Sequence, residues 1–153
     1  GSISKEDIIR LKDNGMVIGS HGMKHRFLHG LSDRELFYEL GESKKLLEDI
    51  VRDKIRYFSV PRGMHNRRIL KIAKDLGYER IFTSEIGIND NSVFSLKRIS
   101  VKRNTGQSAF VDILSGKNIR KMRFEQRIKN FSKKVIGIHS YNRLRRIMIR
   151  NSE

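Results

Sequence analysis

The sequence predicts an α/β fold in which helices alternate with parallel strands. Helical and strand-like segments follow one another through the first two thirds of the chain, an order typical of parallel sheets connected by helices. Apolar residues recur at the helical period in the longer segments and form short runs in the others. With 153 residues, 37% hydrophobic and 33% charged, the chain can form one ordered domain with a core.

The first helix is predicted over residues 4–14. Ser4 is a suitable N-cap with Asp7 three positions on, and Gly15 is a suitable residue beyond the helix end. The apolar residues 16–20 are predicted to form a short buried strand.

A second, longer helix is predicted to begin at a capping box formed by Ser32 and Glu35. Its apolar positions have near-helical spacing, which indicates a core-facing side. They are Leu36, Leu40, Leu47 and Val51.

Further elements follow from the same patterns. Strands are expected over residues 55–60, 79–83 and 94–101. Helices are expected over residues 66–76, 105–115, 117–134 and 141–150. Because sites in such folds gather at the carboxyl ends of strands, we expect the polar segments after residues 20 and 60 to share one face of the sheet or barrel.

The positive charge is concentrated near the C-terminus. The chain has a net charge of +16, and residues 117–150 contain twelve Lys or Arg and one acid, a net charge of +11. We therefore predict an α/β domain over residues 1–103 and a basic helical extension over residues 104–153. The extension has three interpretations: a solvated helical pair, a segment that binds an anionic membrane surface, or a segment that binds nucleic acid. No base-reading motif or aromatic platform supports nucleic acid.

The composition also restricts the chemistry. The sequence has no cysteine, so disulfides, thiolate zinc sites and cysteine nucleophiles are excluded. A metal would have to be held by His, Asp, Glu or backbone oxygens. The 153 residues contain no apolar run of about 18 residues and no signal-peptide pattern. The compartment, cytoplasm or cell envelope, stays open, as does the oligomeric state.

His21 and His25 directly follow the first predicted strand and are four residues apart. If the chain turned into a helix there, this spacing would put both imidazoles on one side. Two neutral imidazoles can bind zinc or a similar ion, with a carboxylate and water completing the shell. The alternative interpretation is a pair of ordinary surface or capping histidines.

Residues 3–101 resemble the polysaccharide deacetylase family, whose domain is called the NodB-homology domain. Residues 21–28, His-Gly-Met-Lys-His-Arg-Phe-Leu, resemble the family's second motif, His-Ser/Thr-x-x-His-Pro-x-Leu, with departures at Gly22 and Arg26. Residues 58–63, Phe-Ser-Val-Pro-Arg-Gly, resemble its third motif. Further matches in the family's order include Glu39, Leu40, Ser43, Gly77, Tyr78, Thr83 and Ser84.

The resemblance implies a partial or truncated (β/α) barrel of the NodB type with a C-terminal helical extension. It also implies metal-dependent removal of N-acetyl or O-acetyl groups from a carbohydrate polymer or glycan precursor. His21 and His25 would be ligands of a divalent metal, with zinc the first candidate. The backbone N–H of Arg62 would be the catalytic oxyanion donor. Pro61 would set that turn and, with Arg62, would contact the substrate.

Two parts of the family pattern are not found in the sequence. The family's first motif, Thr-Phe-Asp-Asp, supplies the general base and the third metal ligand, and no Asp-Asp pair occurs here. The family's later Leu-x-His segment is not evident, although His139 superficially resembles it. His29 and His65 flank the two matched motifs and are interpreted as cleft-lining or partly exposed loop residues. We therefore expect this chain alone to have little or no activity. The alternative function is a non-catalytic module that binds an anionic membrane or polyanion through its basic helices.

Overall fold

The computed structural model describes residues 3–90 and 92–136. Contacts between Cα atoms divide the chain into two units after Ile99, and each unit is described by itself. His139 and the helix predicted over residues 141–150 lie outside the described residues.

The first helix, α1 (Lys5–Asp13), begins and ends as predicted. The hydroxyl of Ser4 accepts the N–H of Asp7 at 3.0 Å, which satisfies one of the N–H groups that a helix start leaves unpaired. Gly15 follows the helix with φ +81°, a left-handed conformation that glycine adopts without a Cβ penalty.

The second predicted helix is a run of three segments. Helix α2 (Asp33–Phe37) continues through a π-helical turn (Tyr38–Glu42) into α3 (Ser43–Val51). The predicted capping box is present at its start. The predicted apolar positions, Leu36, Leu40, Leu47 and Val51, all belong to the core or pack against it.

In the described part of the chain the strands form one three-stranded parallel sheet. Its strands lie in chain order: β1 (Tyr57–Ser59), β2 (Arg80–Phe82) and β3 (Ser95–Leu96). Both strand pairs are parallel, as predicted. Helix α4 (Arg67–Asp75) connects β1 to β2, and the side chain of its N-cap residue Asn66 accepts the N–H of Ile69.

The core of the first unit consists of apolar side chains from the sheet and from the helices. Phe58 and Ile81 pair across β1 and β2 and are fully buried. Fully buried helical and loop residues include Leu28, Leu36, Leu40, Ile69 and Ala73.

The predicted strand over residues 16–20 is wrong for most of its length. Ser20 alone in this segment bridges to the sheet, opposite Phe58 in parallel register. Met16 and Val17 are 58% and 75% exposed. No described strand pairs with residues 16–19, and of these four residues only Ile18 packs partly against the core. An apolar run shows that a segment suits burial, but it does not show that a partner is present.

The predicted strand over residues 94–101 is also shorter than expected. Its ladder covers Ser95–Leu96, while Val101 is 54% exposed. β2 is itself only three residues long, and this limits the number of residues that can pair with it.

The second unit contains the two helices predicted for its described part. They are α5 (Gln107–Leu114) and α6 (Ile119–Ile136). Leu114 and Phe124 are 71% and 65% exposed. Among the described residues, no helix is both long and apolar enough to cross a membrane.

Candidate metal centre

The two predicted ligands are brought together by a loop. The ring centroids of His21 and His25 lie 4.9 Å apart, with the ring planes at 65°. The sequence spacing predicts that the two imidazoles meet if a helix forms here, but no helix forms over these residues. Instead, Gly22 and His25 adopt left-handed conformations, with φ of +86° and +50°. The imidazoles therefore meet across a loop, without helical periodicity.

The ring of His21 is oriented by the sheet. Its Nδ1 atom lies 2.6 Å from the carbonyl oxygen of Ser59, the last residue of β1. A carbonyl oxygen can only accept, so Nδ1 carries the hydrogen in this contact. The lone pair of the neutral ring is then on Nε2. This is the usual arrangement of a metal-binding histidine, whose other nitrogen donates to a fixed acceptor.

The predicted turn after β1 forms and lies beside the histidine loop. Pro61 and Gly63 are buried, whereas the side chain of Arg62 is exposed. Arg62 has φ +58° and Gly63 has φ +70°, so two successive residues are left-handed. A Cβ built on Gly22 would lie 3.8 Å from Cγ of Pro61, which shows how closely the two loops approach.

The donor set is incomplete for a metal. Within residues 3–90 and 92–136, no group of three or more His, Asp or Glu side chains is placed to hold an ion. His21 and His25 fit zinc by donor type, because both are imidazoles on an exposed loop. The remaining ligands would have to be water or a carboxylate from outside this group.

Glu39 is a residue at the site to which the sequence analysis gave no role. It is fully buried, and its Oε2 atom accepts the backbone N–H groups of Met23 and Lys24 at 2.9 and 3.0 Å. The available signal was its position three residues after Leu36 and next to Leu40, on the apolar side of the helix. An acid at such a position indicates a specific partner, because a buried charge without one is costly.

A second contact ties the histidine loop to α2. Arg26, which stands where the family motif usually has proline, pairs with Glu35 at 2.8 Å. The backbone N–H of Ser32 contributes most to lowering the pKa of Glu35 from 4.5 to about 2, and the Ser32 hydroxyl and Arg26 lower it further. The capping box and the segment after His25 thus share one carboxylate.

The two flanking histidines differ in environment. His29 is exposed, with its ring centroid 6.4 Å from that of Phe27. His65 is mostly covered: its Nδ1 lies 3.3 Å from the carbonyl oxygen of Gly63, and its Nε2 lies 3.7 Å from Glu85. Neither joins a described group of three potential ligands.

Comparison with known proteins defines the class. The family model for polysaccharide deacetylase matches residues 2–81, which is more than half of the chain. The chain therefore belongs to the polysaccharide deacetylase family.

Two curated bacterial relatives agree with this membership. The chain is 30% identical over 110 residues to YxkH of Bacillus subtilis, whose name assigns it provisionally to the polysaccharide deacetylases. It is 33% identical over 70 residues to a peptidoglycan-N-acetylglucosamine deacetylase of Bacillus cereus. These alignments cover 71% and 46% of this chain, but only 39% and 32% of the relatives.

A solved structure shows the same fold. The deacetylase PplD of Streptococcus pyogenes, solved in complex with acetate, superposes with a TM-score of 0.68 at 24% identity. The match covers 73% of this chain and 50% of PplD. The predicted fold class, a partial (β/α) barrel of the NodB type, is confirmed.

Proposed function

We propose that this chain is part of a metal-dependent deacetylase that removes N-acetyl or O-acetyl groups from a carbohydrate polymer or glycan precursor. The observation that carries the proposal is the pair of imidazoles 4.9 Å apart, with Nδ1 of His21 held by the Ser59 carbonyl. Family membership supports the reaction class. The peptidoglycan substrate in the name of the Bacillus cereus relative suggests an N-acetylated cell-wall glycan as a first test compound.

In this proposal four residues of the two loops have assigned roles. His21 and His25 hold a divalent ion, with zinc as the first candidate, through their ring nitrogens. When bound, such an ion polarises the acetyl carbonyl and acidifies a water molecule. The backbone N–H of Arg62 donates to the carbonyl oxygen as negative charge develops there. Pro61 fixes φ at the start of the turn and so limits the directions that this N–H can take.

Metal binding is tested by calorimetry with zinc on the whole chain. We expect weak binding by the wild-type chain and at least tenfold weaker binding by the double variant His21→Ala/His25→Ala. His29→Ala is the matched control, since it removes an exposed imidazole from the same segment and should leave the affinity unchanged. Unchanged zinc affinity in the double variant would contradict the assignment.

Hydrolysis is tested by acetate release from N-acetylglucosamine oligomers with zinc present. The sequence contains no Asp-Asp pair, and the described residues provide no third protein ligand. We therefore expect this chain alone to release acetate slowly or not at all. Turnover at ordinary enzyme rates, about 1 per second or more, would show that another residue of this chain supplies the base.

A second function is supported by one face of α6. Arg120, Arg123 and Arg127 are spaced along one side of the helix and line a single open depression with Phe124, which is 65% exposed. Clustered guanidinium groups with an exposed aromatic ring suit an anionic membrane surface. On this proposal the second unit attaches the chain to acidic lipid.

Membrane attachment is tested by co-sedimentation with vesicles containing phosphatidylserine at low and high salt. We expect salt-sensitive binding that is lost when Arg120, Arg123 and Arg127 are all changed to Gln. The control makes the same change in charge at three exposed cations of the first unit, Lys5, Arg34 and Arg67. Equal binding by both triple variants, or no binding by the wild-type chain, would remove this candidate.

A further inference from the structure

We infer that Glu39 is the positioning residue of the metal centre, because it holds the loop that carries His21 and His25. The inference rests on the proposed function for its consequence and on the contacts of Glu39 for its mechanism. Oε2 of Glu39 accepts the N–H groups of Met23 and Lys24 at 2.9 and 3.0 Å. These are two of the three residues between the imidazoles, so one oxygen atom fixes the middle of the loop.

The complete burial of Glu39 indicates that its structural role is to accept these two hydrogen bonds. The residue has no exposed surface, and no described group is a hydrogen-bond partner of its Oε1 atom. A leucine at this position would satisfy the apolar face of the helix without the cost of burying a carboxylate. The two hydrogen bonds that Oε2 accepts offset part of that cost.

The loop needs such an external hold because its own conformation is unfavourable. His25 has φ +50°, in a region that side chains other than glycine rarely adopt. Gly22 has φ +86°, and a Cβ there would lie 3.2 Å from Oε2 of Glu39. The glycine, which replaces the usual Ser/Thr of the family motif, thus leaves room for the carboxylate next to the backbone.

Glu39 is itself fixed by the π-helical turn at Tyr38–Glu42. The hydroxyl of Ser43 donates to the carbonyl oxygen of Glu39 at 2.7 Å. The hydroxyl of Tyr78 donates to the carbonyl oxygen of Leu40 at 2.9 Å. The hydrogen bonds of a π-helical turn depart from the regular α-helical pattern, and such turns are frequent at functional sites. Here two buried side chains bond to the carbonyl groups of the turn.

The same turn reaches the beginning of the loop by a second path. The hydroxyl oxygens of Ser43 and Ser20 lie 2.7 Å apart, and the Ser20 oxygen accepts the N–H of Gly22 at 3.4 Å. The single hydroxyl hydrogen of Ser43 is donated to the backbone carbonyl oxygen of Glu39. The hydrogen between the two hydroxyl groups therefore comes from Ser20. Gly22, Met23 and Lys24 are therefore all attached, directly or through Ser20, to one turn of one helix.

The test compares Glu39→Leu, which removes the acceptor, with Glu39→Gln, which keeps an amide oxygen of the same reach. Two quantities are measured on the whole chain: amide hydrogen exchange at Met23 and Lys24 without metal, and zinc affinity by calorimetry. For Glu39→Leu we expect at least tenfold faster exchange at both amides and at least tenfold weaker zinc binding. For Glu39→Gln we expect both quantities to stay within about threefold of wild type, a rescue that a general packing role would not require.

Leu36→Ala is the matched control. It truncates a fully buried side chain of the same helical run that makes no hydrogen bond to the loop. It should lower the urea midpoint while leaving the two exchange rates and the zinc affinity near wild type. Wild-type exchange and affinity in a folded Glu39→Leu variant would overturn the inference.

Two outcomes separate this inference from the proposed function. If the wild-type chain does not bind zinc, the metal assignment fails. Exchange at Met23 and Lys24 still tests whether Glu39 keeps the loop in its conformation. If Glu39→Leu does not fold, the wild-type chain decides the question. Both amides belong to exposed residues, so unprotected amides there would show that Glu39 does not hold them.

Discussion

The Nδ1 atom of His21 lies 2.6 Å from the carbonyl oxygen of Ser59, so the last residue of β1 orients the first candidate metal ligand. The two residues are 38 positions apart in the chain. Ser59 also donates its N–H to the carbonyl oxygen of Ser20 at 2.8 Å. The ring and the backbone that carries it are thus both attached to one strand end, and this rigid support is what a preorganised ligand needs.

The contact predicts the tautomer of the neutral His21 ring. We expect the hydrogen on Nδ1, because the Ser59 carbonyl can only accept. Long-range proton–nitrogen NMR correlation above the titration range of histidine reads the tautomer directly. His29, which is exposed, serves as the internal reference. A hydrogen found on Nε2 of His21 would show that the Ser59 contact is absent in solution.

Gly63→Ala should strongly destabilise the chain. A Cβ there would lie 1.8 Å from Oγ and 2.5 Å from the backbone nitrogen of Ser84, and φ is +70°. Gly77→Ala is the matched control, since Gly77 has φ +78° but nothing within 4 Å of its Cβ. We expect a loss of about 1–2 kcal/mol at Gly77 from the left-handed backbone alone. At Gly63 we expect about 3 kcal/mol or more, since overlap adds to that strain.

Urea unfolding followed by circular dichroism measures both losses. Equal losses in the two variants would mean that Ser84 moves aside freely, and that the approach of residues 63 and 84 is not constrained.

Lowering the pH should reduce the free energy of unfolding through protonation of Glu35. Its pKa is lowered from 4.5 to about 2 in the folded state, first by the N–H of Ser32 and then by the Ser32 hydroxyl and Arg26. The ionised form therefore favours folding. This contribution is complete above about pH 4.5 and is lost as the pH falls toward 2.

The measurement is the urea midpoint at about pH 6 and about pH 2.5. The difference between the two midpoints should be smaller in Glu35→Gln than in wild type. Glu42→Gln, which changes an exposed carboxyl of the same helical run, should keep the wild-type difference. An unchanged difference in Glu35→Gln would show that the capping carboxylate does not respond to acid.

Phe58→Ala tests the core beneath the candidate site. Phe58 is fully buried in β1, with its ring centroid 5.3 Å from that of Tyr78. We expect a loss of about 3–5 kcal/mol, from lost burial and from the cavity left behind. Phe37→Ala removes the same side chain where it is 45% exposed, and it should cost clearly less. Similar urea midpoints for the two variants would contradict the described core.

Local elements were predictable wherever a short-range rule acts. Ser4 and Ser32 cap helices at the predicted positions because a cap involves residues only three apart. The turn at Pro61 follows from the restricted φ of proline and the freedom of glycine. Strand length was predicted poorly: Val17 is 75% exposed, because burial in a sheet depends on a pairing partner that an apolar run does not specify.

The sequence by itself determined the family, the parallel α/β order and the identity of the two candidate ligands, since each depends on residue types at short and regular spacings. The tertiary structure alone decided how His21 and His25 meet. They approach through left-handed loop residues and not through a helix, and the Ser59 carbonyl and the Glu39 carboxylate support the loop from distant positions. The reason is physical: unfavourable backbone conformations persist only where surrounding contacts hold them, and those contacts come from residues that folding brings together.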